Sequence, residues 1–233
     1  TVVARADPTS KSTTVLSYWT DPDFNLTAFD TRGAGDLPGV IPVFPLPGLV
    51  LFPGTQLPLH IFEERYRQML QDAIDSHCFF AVAQKISDVS DDPNVCAAAV
   101  GTIGIVRASH EQKDGTSNLL LHGVIRVKFL QWIEGKSYPF AEIEPIPSIF
   151  EPAHQAEAAV ATLRGSVEDA IGGLPEEVQK AVMETLHRTD DPVILADIVS
   201  QQFIHDSELR QHLLELESPA ARIAWLCKAL QQD

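Results

Sequence analysis

Two pairs of side chains in this sequence have the types and spacing that acid–base or nucleophilic chemistry requires. His60 precedes Glu63 by three positions, and a carboxylate beside an imidazole can exchange protons with a substrate. Lys113 and Ser117 could act as base and nucleophile. No further nucleophile, metal ligands or oxyanion donors accompany either pair. We therefore expect no catalytic residue in this chain.

Both pairs also have an ordinary structural interpretation. Lys113 and Ser117 flank an Asp-Gly dipeptide, which is the strongest short signal for a hairpin turn, and an exposed turn does not desolvate a lysine. Glu63 falls at the start of a predicted helix, where a carboxylate complements the helix dipole. The sequence favours a turn at 113–117 and a helix start near Glu63.

The cysteines and histidines do not form a metal-binding pattern. Cys78, Cys96 and Cys227 are odd in number and widely spaced, which suits a reducing compartment better than a disulfide scaffold. The eight histidines contain no His-x-x-x-His pair of the kind that binds zinc on a helix. The sequence predicts neither a metal nor a cofactor.

The charge balance disfavours anionic partners. Seventeen basic and thirty-two acidic residues give a net charge of −15, which repels phosphate backbones and anionic lipid. No run reaches the ~18 apolar residues that a bilayer span needs, and no secretory leader precedes residue 40. We expect no nucleic-acid or membrane partner and a cytoplasmic location. Because residue 1 is Thr, an organelle reached after removal of a transit peptide stays open.

The apolar pattern divides the chain into three parts. Residues 1–39 are polar and are predicted to be a tail that is either disordered or docked on the surface. Residues 40–148 are predicted to form a strand-rich lobe with one helix over about 63–75, and 149–233 a lobe of four to five helices. The expected strands cover 41–44, 49–52, 57–61, 79–86, 97–109, 117–133 and 140–146. Strands first and helices afterwards indicate an α+β fold.

One long motif carries a family resemblance. The run FPGTQLPLHIFEERY spans Phe52 to Tyr66 and is followed by VGTIGIV, KDGTSNLLLHGVIRVKF and SPAARIAWLCKAL. In this order the segments resemble the N-terminal substrate-binding domain of the Lon protease family over roughly residues 40–231. The stand-alone bacterial members are the most similar. The resemblance implies a PUA-like, bent β pseudobarrel followed by a helical bundle.

The same resemblance implies binding without catalysis. A complete Lon protease adds an ATPase module with a phosphate-binding loop and a Ser–Lys proteolytic module, and neither motif occurs in this chain. The implied ligands are unfolded or partly folded polypeptides, or a protein partner. Because PUA-like barrels elsewhere bind RNA, an RNA-binding module is the alternative, although the net charge of −15 disfavours it.

Five residues in the proline-rich part of the first lobe are our candidates for the binding surface. The prolines there should mark strand edges and corners. The backbone between them is expected to form fewer strand-pairing hydrogen bonds than the rest of the lobe. We expect the most exposed apolar group of the domain in this segment, formed by Leu46, Pro47, Gly48, Leu49 and Phe52. The apolar side chains of the segment could equally belong to the barrel core, since alternation should bury about half of them.

Overall fold

A computed structural model describes residues 37–148 and 152–231. The predicted tail lies, up to residue 36, outside the described residues. The described chain divides into two compact units, the first ending at Ile146 and the second beginning at Pro147.

Strands and helices are segregated between the two units. The described part of the first unit contains β1 (Val40–Pro47), β2 (Gln56–Ile61), α1 (Glu64–Ile74), β3 (Phe79–Lys85), α2 (Pro93–Cys96), β4 (Ala97–Glu111), β5 (Ser117–Trp132) and β6 (Phe140–Pro145). The described part of the second unit contains α3 (Ala153–Ala170), α4 (Glu176–Leu186), α5 (Pro192–Phe203), α6 (Ser207–Glu215) and α7 (Pro219–Ala229). This order confirms the α+β prediction.

Five strands close into a ring. Around it, β1 pairs with β3, β3 with β4, β4 with β5, β5 with β6, and β6 returns to β1. The edge of β5 that faces away from β4 pairs with two different strands. Its residues 117–122 pair with β2, and its residues 127–132 pair with β6. Register shifts in β4 and β5 bend the sheet further. The ring is therefore a pseudobarrel rather than a regular barrel.

The turn between β4 and β5 follows from its Asp-Gly pair. Gly115 has a φ of +80°, a conformation that glycine adopts at little cost. The Asp114 carboxylate accepts hydrogen bonds from the backbone N–H and the hydroxyl of Thr116, at 3.0 and 2.8 Å. The Gln112 N–H donates a hydrogen bond of 2.7 Å to the Thr116 carbonyl across the turn. This confirms the predicted turn at 113–117.

Pro45 and Pro47 of β1 lie where their missing N–H groups do not interrupt the ladder with β3. The Val43 N–H points away from β3 and donates to the Pro139 carbonyl at 2.9 Å. Because backbone groups alternate along a strand, Pro45 and Pro47 place their nitrogens on this same side, while Leu46 faces β3. These prolines therefore keep the β1–β3 pairing intact and remove the donors from the opposite edge.

The prediction of a strand at 49–52 is wrong. Residues 48–55 form an irregular connection instead, with positive φ at Gly48 and Gly54. The Leu51 carbonyl accepts from the Thr102 hydroxyl, and the Gly54 N–H donates to a carbonyl of β5. The backbone of this segment is thus satisfied by side-chain and turn contacts rather than by a strand partner.

The first unit buries both faces of its sheet. Along β3, Phe80 and Val82 face α1 and β2, whereas Phe79 and Ala81 face the opposite side. The first face is covered by the apolar stripe of α1, which the sequence predicted from its helical spacing. Burial on both faces explains why β3 reads as a continuous apolar run rather than an alternating one.

Three helices of the second unit, α5, α6 and α7, begin at a residue whose side chain caps the helix. The Asp191 carboxylate accepts from the Val193 N–H at 2.8 Å at the start of α5, and Asp206 occupies the same position for α6. Ser218 caps α7 by accepting from the Ala221 N–H at 3.2 Å. Each cap of this type contributes about 1 kcal/mol to helix stability.

Candidate functional site

A pocket of about 360 Å³ lies in the first unit between β1 and β2. One wall is the end of β1 from Phe44 to Pro47, and the facing wall is β2 from Leu57 to His60. The remaining lining comes from the β1–β2 connection, the start of α1 and the residue pair before it, the end of β3 and the segment through α2, and the residue before β6. These residues are Leu49, Phe62, Glu63, Arg65, Tyr66, Lys85, Asp91, Cys96 and Pro139. Its composition is mainly apolar, as is usual for ligand pockets.

Two aromatic rings form the inner part of the pocket. The Phe44 and Tyr66 ring centroids are 4.3 Å apart, and both residues belong to the core cluster beneath α1. Burial raises the pKa of the Tyr66 phenol to about 12, so the hydroxyl stays protonated at neutral pH. Tyr66 therefore lines the pocket as a neutral phenol.

A third aromatic side chain extends the pocket outward. Phe62 is 55% exposed and stacks on the His60 ring, with centroids 6.1 Å apart. His60 is itself held by a contact between its Nδ1 and the Asn118 Oδ1 at 2.8 Å. The Phe62 ring is therefore held in place by His60 and remains exposed to solvent beside the pocket.

The charged groups of the pocket wall are paired with one another. The Arg65 guanidinium bonds the Glu63 carboxylate at 3.0 Å and lies 4.7 Å from the Tyr66 ring centroid. The Lys85 ammonium contacts Asp88 at 3.2 Å and Asp91 at 3.5 Å. The hydrogen bond with Asp88 is the main cause that raises the pKa of the Lys85 ammonium.

The geometry does not assemble the acid–base or nucleophilic pairs that the sequence contains. The His60 Nδ1 bonds Asn118, and Glu63 bonds Arg65. At the β4–β5 turn, Lys113 is exposed whereas Ser117 is buried at the start of β5. Burial also raises the pKa of the Cys96 thiol in the pocket wall, which disfavours the reactive thiolate.

The pocket contains three of the five predicted binding residues. Leu46, Pro47 and Leu49 line it, and Gly48 lies in the adjacent turn. Phe52 does not belong to it, since Phe52 is 0% exposed.

The prediction that these five residues form the most exposed apolar group is wrong. Phe52 and Leu46 are both buried. Leu46 lines the pocket, but its side chain belongs to the core cluster. The backbone of Phe52 crosses directly over Gly123, where an added Cβ would lie 2.3 Å from the Phe52 carbonyl oxygen. Because Gly123 has no side chain, the segment that contains Phe52 can pack closely against β5.

Sequence reasoning missed the part of the pocket that is formed by Phe62, Lys85 and Asp91. Phe62 lies two positions before α1 and follows the three buried, alternating residues of β2, so an apolar residue at this place in the sequence could have indicated an exposed contact. The Lys85–Asp91 wall depends on the path of a loop that carries no periodic pattern. The pairing of Lys85 with Asp91 could therefore not be predicted from the sequence.

Neither a metal-binding cluster nor a membrane-spanning helix is found among the described residues. In 37–148 and 152–231, no group of three or more His, Cys, Asp or Glu side chains could hold a metal ion. Over the same ranges, none of the helices is both long and apolar enough to cross a membrane.

Comparison with known families identifies the domain. Residues 40–232 match the family model described as the ATP-dependent protease La (LON) substrate-binding domain. The chain belongs to the LON substrate-binding domain family. The match covers both units of this LON domain and confirms the family resemblance that the motif from Phe52 to Tyr66 indicated.

Several curated relatives of this LON domain are bacterial Lon proteases. Lon protease 2 of Herpetosiphon aurantiacus is 28% identical over 201 residues, which cover 83% of this chain and 24% of the relative. Lon protease of Bacillus thuringiensis is 24% identical over 195 residues, with 83% and 24% covered. The chain thus spans about a quarter of the length of these relatives.

Solved structures confirm the fold of the LON domain. The N-terminal domain of Mycobacterium avium complex Lon protease matches with a TM-score of 0.68 at 16% identity, covering 82% of this chain and 98% of that one. A Lon N-terminal domain protein from Xanthomonas campestris matches with a TM-score of 0.57 at 21% identity, covering 79% and 95%.

Proposed function

We propose that this LON domain binds unfolded or partly folded polypeptides by taking their apolar side chains into the pocket between β1 and β2. The single observation that carries the proposal is the pocket itself, which is mainly apolar and opens beside the exposed ring of Phe62. The family is described as a substrate-binding domain, which supports polypeptide as the ligand class.

The pairing of the wall charges favours apolar ligands. Arg65 is satisfied by Glu63, and Lys85 is satisfied by Asp88 and Asp91. An apolar side chain entering the pocket therefore does not leave a buried charge without its partner. Burial of apolar surface yields about 25 cal/mol per Å², so even one large side chain contributes measurably to affinity.

The proline edges favour recognition through side chains rather than through strand addition. Pro45 and Pro47 present carbonyl oxygens but no N–H on the side of β1 away from β3. Directly before β2, the Thr55 carbonyl accepts from the Gly123 N–H of β5, and alternation places the nitrogen of Pro58 in β2 on the edge away from β5. A peptide strand added to either wall would find too few donors for its own carbonyls.

We further propose that the domain acts without catalysis. The pocket holds no nucleophile next to a base, because His60 and Glu63 bond other residues and Cys96 is a protonated, buried thiol. The proposed role is to hold polypeptide, and ATP hydrolysis and peptide cleavage are not part of it.

Phe62→Ala is expected to weaken binding of a fluorescein-labelled apolar peptide by about five- to thirtyfold, which corresponds to the roughly 1–2 kcal/mol contributed by a partly buried aromatic contact. Fluorescence anisotropy measures the change. Leu130→Ala is the matched control, since Leu130 is 50% exposed and does not line the pocket. Equal affinity of the two variants would contradict the proposed site.

A further inference from the structure

The charges around the pocket differ strongly in how far they reach into solvent. The Lys85 side chain is 20% exposed, whereas its partners Asp88 and Asp91 are 87% and 75% exposed. The lysine side chain is therefore largely covered, whereas both carboxylates are open to solvent. One lysine shared by two aspartates also leaves this part of the rim with a net negative charge.

The loop that carries these carboxylates also carries exposed apolar side chains. Ile86 is next to Lys85 in sequence, and Val89 and Val95 lie on either side of Asp91. All three apolar residues are well exposed. Lys85 and Asp91 line the pocket, so the segment that follows the pocket wall carries exposed apolar side chains together with negative charge, in a chain whose net charge is −15.

We infer that the preferred ligands of this pocket are apolar segments flanked by basic residues, which Asp88 and Asp91 select over the same segments flanked by acidic residues. This inference rests on the proposed function, because it concerns the ligands of the same pocket. Complementary charges at the rim act mainly on selectivity and association, while the apolar contacts supply affinity. Exposed charge pairs of this kind contribute little each, so the selection is modest.

The test uses labelled peptides that share one apolar core and differ only in their flanks, which are lysine, glutamate or glutamine at both ends. Near about 0.1 M ionic strength, the lysine-flanked peptide is expected to bind about three- to tenfold more tightly than the glutamate-flanked one. At about 1 M ionic strength, where the Debye length falls to about 3 Å, the difference should drop below about twofold.

Two double variants separate the rim from the overall charge. Asp88→Asn with Asp91→Asn is expected to remove the preference for lysine flanks. Glu176→Gln with Glu177→Gln in α4 changes the net charge of the chain by the same amount, and this variant is expected to keep the preference for lysine flanks. A preference lost equally in both variants would overturn the inference, since the whole chain rather than the rim would then be responsible.

The outcomes distinguish this inference from the function on which it rests. Equal binding of lysine- and glutamate-flanked peptides would overturn the inference and leave polypeptide binding in place. Failure of all three peptides to bind would overturn both. Peptide affinity that falls as the protein concentration rises would mean that a second copy of the chain fills the pocket, which also overturns the inference.

Discussion

Replacing Phe52 with alanine is expected to lower the free energy of unfolding by about 3–5 kcal/mol, the usual cost of removing a buried phenylalanine side chain. Phe52 is 0% exposed and lies where its segment crosses Gly123. The segment is pinned by the bond from the Thr102 hydroxyl to the Leu51 carbonyl at 2.6 Å, so it cannot easily collapse into the cavity. Chemical denaturation of both proteins measures the difference.

Phe62→Ala is the matched control for this prediction. It removes the same side chain ten positions later, from a site that is 55% exposed, and is expected to change stability by less than about 0.5 kcal/mol. Phe52→Ala should in turn leave the affinity of the folded protein for an apolar peptide unchanged. Similar stability losses in the two variants would contradict the assignment of Phe52 to the core and Phe62 to the surface.

The second large effect is expected from Arg222→Met in the helical unit. Arg222 on α7 and Asp197 on α5 form an ion pair, and both side chains are almost fully buried. Removing the arginine leaves a buried carboxylate without its cation, which is expected to lower the free energy of unfolding by about 3–5 kcal/mol. Chemical denaturation followed by far-UV circular dichroism measures the loss.

The double variant Arg222→Met with Asp197→Leu tests the electrostatic cause. The Arg222 Nε and Nη2 are buried without a hydrogen-bond partner, so the arginine already carries a desolvation cost. Removing both charges together is expected to recover most of the stability, as apolar replacements of buried ion pairs often do. A double variant as unstable as the single one would mean that the loss comes from packing rather than from charge.

The regular elements followed from local patterns in the sequence. The apolar pattern predicted a helix over about 63–75, where α1 lies, and the Asp-Gly pair at 114–115 predicted the β4–β5 turn. These signals are local because capping, turn conformation and alternation each involve residues a few positions apart. The long motif from Phe52 to Tyr66 added the family, which periodicity alone does not specify.

The site was harder to predict because its residues meet through distant chain crossings. Proline richness indicated a weakly paired segment, but burial of Phe52 depends on the approach of its carbonyl to Gly123, which is 71 positions away. The pairing of Lys85 with Asp91 likewise depends on how one loop folds back on β3. Asp197 inside the apolar run of α5 was a visible anomaly, yet its partner Arg222 lies on another helix.

Photo-crosslinking tests the central claim most directly. A short apolar peptide that carries a photoreactive leucine is irradiated with the protein, and the attachment sites are mapped by mass spectrometry. The account predicts crosslinks concentrated in residues 44–49 and 57–66, reduced in Phe62→Ala and retained in Leu130→Ala. Crosslinks confined to the helical unit, or spread no differently from those of a polar control peptide, would contradict it.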